Sequence, residues 1–409
     1  MANKALMICS NYWTSPFHVG SHQIARTLVR MGWEVGFVSA PISPLHLLGR
    51  TDFRRRHELY RSGGSRFLDG RLWAYVPGAW LVPYDFPFLR SRWLLHHWHR
   101  LTVPDMVAKA RENGFGRVDL LYLDSLTQPC WVTAIEHEHA VLRLPDHAAA
   151  LGAPPAAVLE NEAALARQVD VVVYAARSLE AHVHTLGPRR AMYLPNGVDI
   201  TRFESTPDLP REYGTINRPI AVYVGAMDYW FDFDLVESAA RLLPEISFVL
   251  VGPEELARRR MKALPNLHLL GRKDFSAIPA YLQHADVGLI PFDVGRYPEL
   301  VNHVHPLKLY EYLACGLPVV AVEWTELKDL DSPAVLCRTV TEFVQEIQAA
   351  VASTGDRAAR IRHAREADWG GRVSALLTGL GLDHAGLVIP AQVRPVRISS
   401  SSSGDEHVP

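Results

Sequence analysis

The chain has 409 residues, 48% of them hydrophobic and 21% charged, with a formal net charge of −2. That length exceeds what one hydrophobic core usually supports, so two domains are expected. The near-neutral charge excludes a general nucleic-acid binder, the balance is globular rather than disordered, and no apolar run approaches the roughly 20 residues of a membrane span.

In chain order, KALMICS (4–10) is an apolar run that predicts a buried first strand. The loop NYWTSPFHVGS follows, then a helix through about residue 31, then a second strand at EVGFVS (34–39). The segment 50–71 carries seven arginines (50, 54, 55, 56, 61, 66 and 71) against Asp52, Glu58 and Asp69. WLVPYDFPFLRSRWLLHHWHR (80–100) then mixes aromatics with Arg and His. Two readings are open for this region: a solvated loop before a packed helix, or a docking surface for an anionic membrane or a lipid-linked acceptor.

Strands at DLLYLD (119–124), HAVLRL (139–144), DVVVYA (170–175) and AMYLP (191–195) continue the series, with a helix near 156–168. Such alternation predicts a doubly wound α/β domain over residues 1–202. FESTPDLPREYGTINRP (203–219) reads as a linker. The pattern restarts with IAVYVG (220–225), ISFVLVG (246–252), LHLLG (267–271), VGLIPF (287–292) and PVVAVE (318–323). A second Rossmann-like domain is therefore expected over 220–385, followed by a disordered tail at 386–409.

In open parallel sheets, ligands bind beyond the carboxyl ends of the strands, which suggests a cleft between the two domains. DLLYLD ends in Asp124, and HAVLRL leads into Pro145 and Asp146. Either carboxylate could serve as a general base, or Asp146 could cap a helix and Asp124 occupy a turn. Gly225, Met227, Gly252 and Phe292 follow strands of the second domain. No G-x-G-x-x-G follows the first strand, against a dinucleotide oxidoreductase. The D-x-D at 232–234 suits helix capping. The 19 histidines form no zinc pair with a supporting glutamate, and the cysteines (9, 130, 315 and 337) show no metal spacing. No metal site is expected, and Cys9 and Cys315 read as buried thiols in a reducing cytosol. ALMIC (5–9) is too short for a signal-peptide core, so a cytosolic protein is expected.

HPLKLYEYLACGLPVVAV (305–322) is the most informative stretch. Pro306 suits a first helical position, and Gly316 with Pro318 ends the helix, predicting about 306–315. Lys308 and Glu311 are three apart and share one face. They form either a surface ion pair or a site in which Lys308 meets a diphosphate and Glu311 accepts from sugar hydroxyls beyond it.

The pattern P-x-K-x-x-E-Y-L-A-x-G-x-P-V-V resembles the GT-B glycosyltransferases, and YLPNGVD (193–199) resembles the segment that closes their first domain. The resemblance implies two Rossmann-like domains facing across a cleft. It also implies a nucleotide-diphosphate sugar donor, such as a UDP-sugar, with no bound metal and no other cofactor. Lys308 would meet the diphosphate and Glu311 the ribose, with His305 and Leu307 beside them. His303 stands where many retaining members carry a second glutamate.

RLPDHAAAL (143–151), YVGAMD (223–228) and PLK (306–308) resemble the inverting bacterial glucuronosyltransferases of xanthan assembly, a likeness spanning about residues 5–375. That likeness implies Asp146 as catalytic base, with Asp124 as a secondary candidate, and Gly225 and Met227 in the nucleotide loop. Phe292 stands at a nucleotide-contacting tyrosine. A lipid-linked or carbohydrate acceptor is implied, handled at the inner face of the cell membrane. A retaining transferase and a nucleotide-sugar 2-epimerase remain the alternatives.

Overall fold

A strand buried on both faces needs a nearly continuous apolar run, and the chain opens with one. The computed structural model describes residues 2–44, 46, 53–82, 89, 91–150, 154–353 and 355–382, and the backbone of 398–400. Lys4–Cys9 (β1) and Glu34–Ser39 (β2) pair in parallel, with every residue after the first of each strand buried. Ser65–Phe67 (β3) and Leu72–Tyr75 (β4) follow, then Arg117–Asp124 (β5), Glu136–Leu144 (β6), Val171–Tyr174 (β7) and Arg190–Tyr193 (β8). Their order is β8-β7-β6-β5-β1-β2-β4-β3, parallel throughout except at the β3–β4 edge. The order reverses at β1, so the carboxyl ends of β1 and β5 flank a topological switch point. Strands β3 and β4 were not among the expected elements. Each is too short to display a period of its own beside the arginine-rich stretch.

That stretch is not one charged face. Phe53–Arg61 is helical, and Arg56 is buried, donating to the carbonyls of Ala40 and Pro41 at 2.7 and 2.9 Å. Arg54, Arg55, Arg61, Arg66 and Arg71 are exposed, while Arg50 and Asp52 lie outside the described residues. In 80–100, the helix Arg92–His97 is capped by Ser91 and buries Leu94 and Leu95. Trp98 is buried, whereas Trp80 and Trp93 are 68% and 63% exposed. Residues 83–88 and 90 lie outside the described residues.

In the second unit, Ile220–Val224 (β9), Ser247–Val251 (β10), Leu267–Leu269 (β11), Val287–Ile290 (β12), Val319–Val322 (β13) and Val335–Cys337 (β14) form an all-parallel sheet. Its order, β11-β10-β9-β12-β13-β14, is that of a Rossmann sheet with its switch point between β9 and β12. Asp232 accepts from the Leu235 amide at 2.8 Å and caps the helix Phe233–Leu242, the capping role expected for the D-x-D.

The two compact units divide at Pro195/Asn196, and the chain returns to the first unit from Val373. This differs from the expected boundaries at 202 and 385. The segment 203–219 is packed rather than free: Phe203 and Tyr213 join the core of the second unit, and Tyr213 Oη donates to the Tyr281 carbonyl at 3.0 Å. The helix Trp369–Leu380 crosses the second boundary, because Val373, Leu376 and Leu377 are buried and Arg190 donates to the Gly379 carbonyl at 2.7 Å. Of the expected disordered tail, only 398–400 is described, as Ile398–Ser400 (β15), antiparallel to β8. All four cysteines are free, with Cys9 and Cys315 buried. No helix among the described residues is long and apolar enough to cross a membrane.

Candidate active site

In the first unit, parallel register sets Asp124 at the end of β5 beside Cys9 at the end of β1. Asp124 is no simple turn residue. Its Oδ2 accepts from Ser21 Oγ at 2.6 Å and from an Arg143 guanidinium nitrogen at 3.3 Å. Arg143 lies in β6, with its side chain only 3% exposed. Burial pushes the Asp124 carboxyl above the usual range, although Arg143 and Ser21 pull the other way.

Asp146 follows β6 after Pro145 and is half-buried. Burial raises its pKa to about 6, Arg143 opposing and Asp124 adding to the shift. Among the described residues Asp146 accepts no hydrogen bond, and it does not cap the short helical turn Ala148–Ala150. A carboxylate with that basicity and no internal donor is suited to accepting a proton. Sequence reasoning passed over Arg143 and Ser21. The available signal for Arg143 was a charged residue inside the apolar run HAVLRL.

In the second unit, the helix Leu307–Ala314 is docked by Tyr312. The Val224 amide donates to its Oη at 2.9 Å, and a Cβ on Gly288 would fall 2.4 Å from its ring. Pro306 is the N-cap rather than the first helical residue, because its ψ of 114° is extended. No side chain caps this end, so its first amides remain available to an anion. Two glycines bring backbone close to the same place. A Cβ on Gly225 would lie 3.1 Å from Lys308 Cε, and one on Gly252 would lie 1.9 Å from the Gly225 carbonyl oxygen.

Lys308 is half-buried, and its ammonium sits 5.2 Å from the Tyr223 ring centroid and 5.0 Å from that of Phe292. Burial lowers its pKa to about 8, with the charge of Glu311 opposing. The two side chains do not form the surface ion pair weighed above. Glu311 instead faces Arg202, Oε1 to a guanidinium nitrogen at 3.5 Å, and Arg202 also donates to the Phe275 carbonyl at 2.7 Å. Arg202 had been assigned to no site, since it lies 109 residues from Glu311.

The remaining expected residues divide. Phe292 is buried beneath Lys308 and packs at a tilt against Trp324, ring centroids 5.3 Å apart. Leu307 is half-buried at the helix start, whereas the Met227 side chain is 3% exposed and belongs to the core. The His305 side chain is wholly buried at the helix start, with Nδ1 3.0 Å from Glu326 Oε1 and Nε2 2.9 Å from Tyr310 Oη.

Comparison with known proteins agrees with this architecture. Residues 7–175 match the family model described as glucuronosyltransferase GumK, N-terminal domain, and residues 218–353 match glycosyl transferases group 1. A Bacillus subtilis protein, the putative teichuronic acid biosynthesis glycosyltransferase TuaH, is 28% identical over 157 residues; the match spans 37% of this chain and 39% of that relative's length. Sucrose-phosphate synthase from Thermosynechococcus elongatus superposes with a TM-score of 0.64 at 16% identity, covering 92% of this chain and 97% of that one. Anabaena HepE in complex with UDP and glucose superposes with a TM-score of 0.61 at 16% identity, covering 93% and 99%. At these identities the two structures speak to the fold, which is GT-B with two Rossmann-like units.

Proposed function

From a chain that is a GT-B glycosyltransferase resembling GumK, we propose an enzyme that moves a sugar from a nucleotide-diphosphate sugar to an acceptor hydroxyl with inversion. The observation that carries this reading is the convergence of Lys308, Gly225 and an uncapped helix N-terminus at the carboxyl ends of β9 and β12. A diphosphate needs a cation and amides held in place, and this group supplies both without a neutralising partner.

In the proposed reaction the acceptor oxygen attacks the anomeric carbon and its proton passes to Asp146. The bond to the nucleoside diphosphate breaks, and the departing charge is taken up by Lys308 and the helix amides. Those groups supply the stabilisation that a metal ion would otherwise give. Glu311, held by Arg202, receives the ribose hydroxyls. UDP is the favoured leaving group because HepE, of the same fold, was solved with it. The resemblance to GumK and TuaH favours a lipid-linked or polysaccharide acceptor. Trp80 and Trp93, with the exposed arginines of 54–71, offer a surface for it at an anionic membrane.

The test is incubation with a panel of nucleotide sugars and lipid-linked or oligosaccharide acceptors, reading nucleoside-diphosphate release and the product's anomeric configuration by NMR. Acceptor-dependent release with inverted configuration supports the reading. Retained configuration removes the role of Asp146 as base. Conversion of donor alone with deuterium uptake at C2 would identify an epimerase instead.

A further inference from the structure

A lysine that must meet a diphosphate faces a conflict while the site is empty. A carboxylate partner would hold it but cancel its charge, and the diphosphate would have to displace that partner. Water alone would leave a flexible four-carbon chain unordered. Lys308 shows a third arrangement. Glu311 is drawn toward Arg202, and among the described residues Lys308 has no hydrogen bond or ion pair of its own. Its ammonium lies instead between two ring faces, 5.2 Å from Tyr223 and 5.0 Å from Phe292, both within cation–π range.

Both rings are fixed from behind. Tyr223 is wholly buried and its Oη donates to the Ala226 carbonyl at 2.6 Å. Phe292 packs against Trp324 at a tilt, ring centroids 5.3 Å apart, and its backbone bridges to Phe231. Gly225 closes a third side, since a Cβ there would stand 3.2 Å from Nζ. An aromatic quadrupole attracts a cation without neutralising it, so the charge stays available while the chain is held.

We propose that Tyr223 and Phe292 form an aromatic cage that pre-organises the Lys308 ammonium for a diphosphate, which makes Phe292 a positioning residue acting through Lys308 rather than a contact to the nucleobase. This rests on the donor-site reading above and assigns Phe292 a different role within it. Holding one long side chain in its bound geometry lowers the ordering cost of binding.

The experiment replaces Phe292 with phenylalanines carrying successively more ring fluorines. Fluorination withdraws the face charge while nearly preserving shape, so folding is retained. Inorganic pyrophosphate, which has no base to stack, is titrated by phosphorus NMR against the wild type, the fluorinated series and Lys308→Met. The expected result is graded weakening along the series, reaching about 2- to 30-fold. A Phe292→Tyr variant, keeping the ring, should stay close to wild type. Unchanged affinity along the fluorinated series would overturn the cage while leaving the diphosphate site intact. Wild-type protein that fails to bind pyrophosphate, or binds it independently of Lys308, would overturn the donor-site reading and the cage with it.

Discussion

Glu311 and Arg202 are 109 residues apart in sequence, yet they share the carboxylate–guanidinium contact at 3.5 Å that Lys308, one turn from Glu311, does not make. The Arg202 guanidinium lies 3.4 Å from the Phe275 ring centroid and donates to the Phe275 carbonyl, so it is held as a plane. Both side chains are partly exposed, 15% and 21%, so the pair is screened and its worth is modest, about 1 kcal/mol.

Arg202→Met should therefore weaken nucleoside-diphosphate binding about fivefold, by releasing Glu311. Arg202→Lys should restore little, because an ammonium does not reproduce the stacked fork. Calorimetric titration with UDP measures both variants. A lysine variant equal to wild type would show that charge alone suffices.

Asp146→Asn keeps the shape of the side chain and removes the base. Turnover should fall by about 10²–10⁴, with nucleoside-diphosphate affinity scarcely changed. Asp124→Asn is the comparison, since Asp124 is already engaged by Ser21 and Arg143. Full activity in the Asp146 variant together with loss in the Asp124 variant would reverse the assignment.

The pH profile follows from the same groups. Asp146 has a pKa raised to about 6, so it is protonated, and unable to accept a proton, below that value. Lys308 has a pKa lowered to about 8, so it loses its charge above that value. Activity should therefore fall on the acid side near 6 and on the alkaline side near 8. In Lys308→Arg, whose side chain stays charged, the alkaline limb should disappear. Its persistence there would assign it to another group.

His305→Ala should act on stability first. It removes one hydrogen-bonding contact from Glu326, which is wholly buried, a loss of about 1–3 kcal/mol. Glu326→Gln keeps a hydrogen-bonding group and should lose less. Urea unfolding followed by fluorescence measures both. Equal, small losses would mean that the His305–Glu326 contact contributes little.

Trp80 and Trp93 are exposed at 68% and 63% on the first unit. Replacing both with serine should reduce sedimentation with phosphatidylglycerol vesicles, and salt should weaken what remains, as screening requires. Equal sedimentation with phosphatidylcholine vesicles, or none before mutation, would leave them as isolated surface aromatics.

The strands of both sheets were legible in the sequence wherever apolar runs were long enough to show their period, as at KALMICS, HAVLRL and IAVYVG. The Pro306–Pro318 motif likewise placed Lys308 at a helix start, because capping, helical spacing and the glycine stop are local effects that act within a few residues. The place of Asp146 directly after a strand came from the same local reading. What tertiary structure alone decided is who meets whom across long separations. Arg143 bonds Asp124, Arg202 takes Glu311 from Lys308, Phe292 lies under the ammonium, and His305 closes on Glu326. The return of the helix Trp369–Leu380 to the first unit is of the same kind. Each depends on the packing of elements far apart in the chain, and a partner chosen by packing leaves no periodicity or spacing to be read.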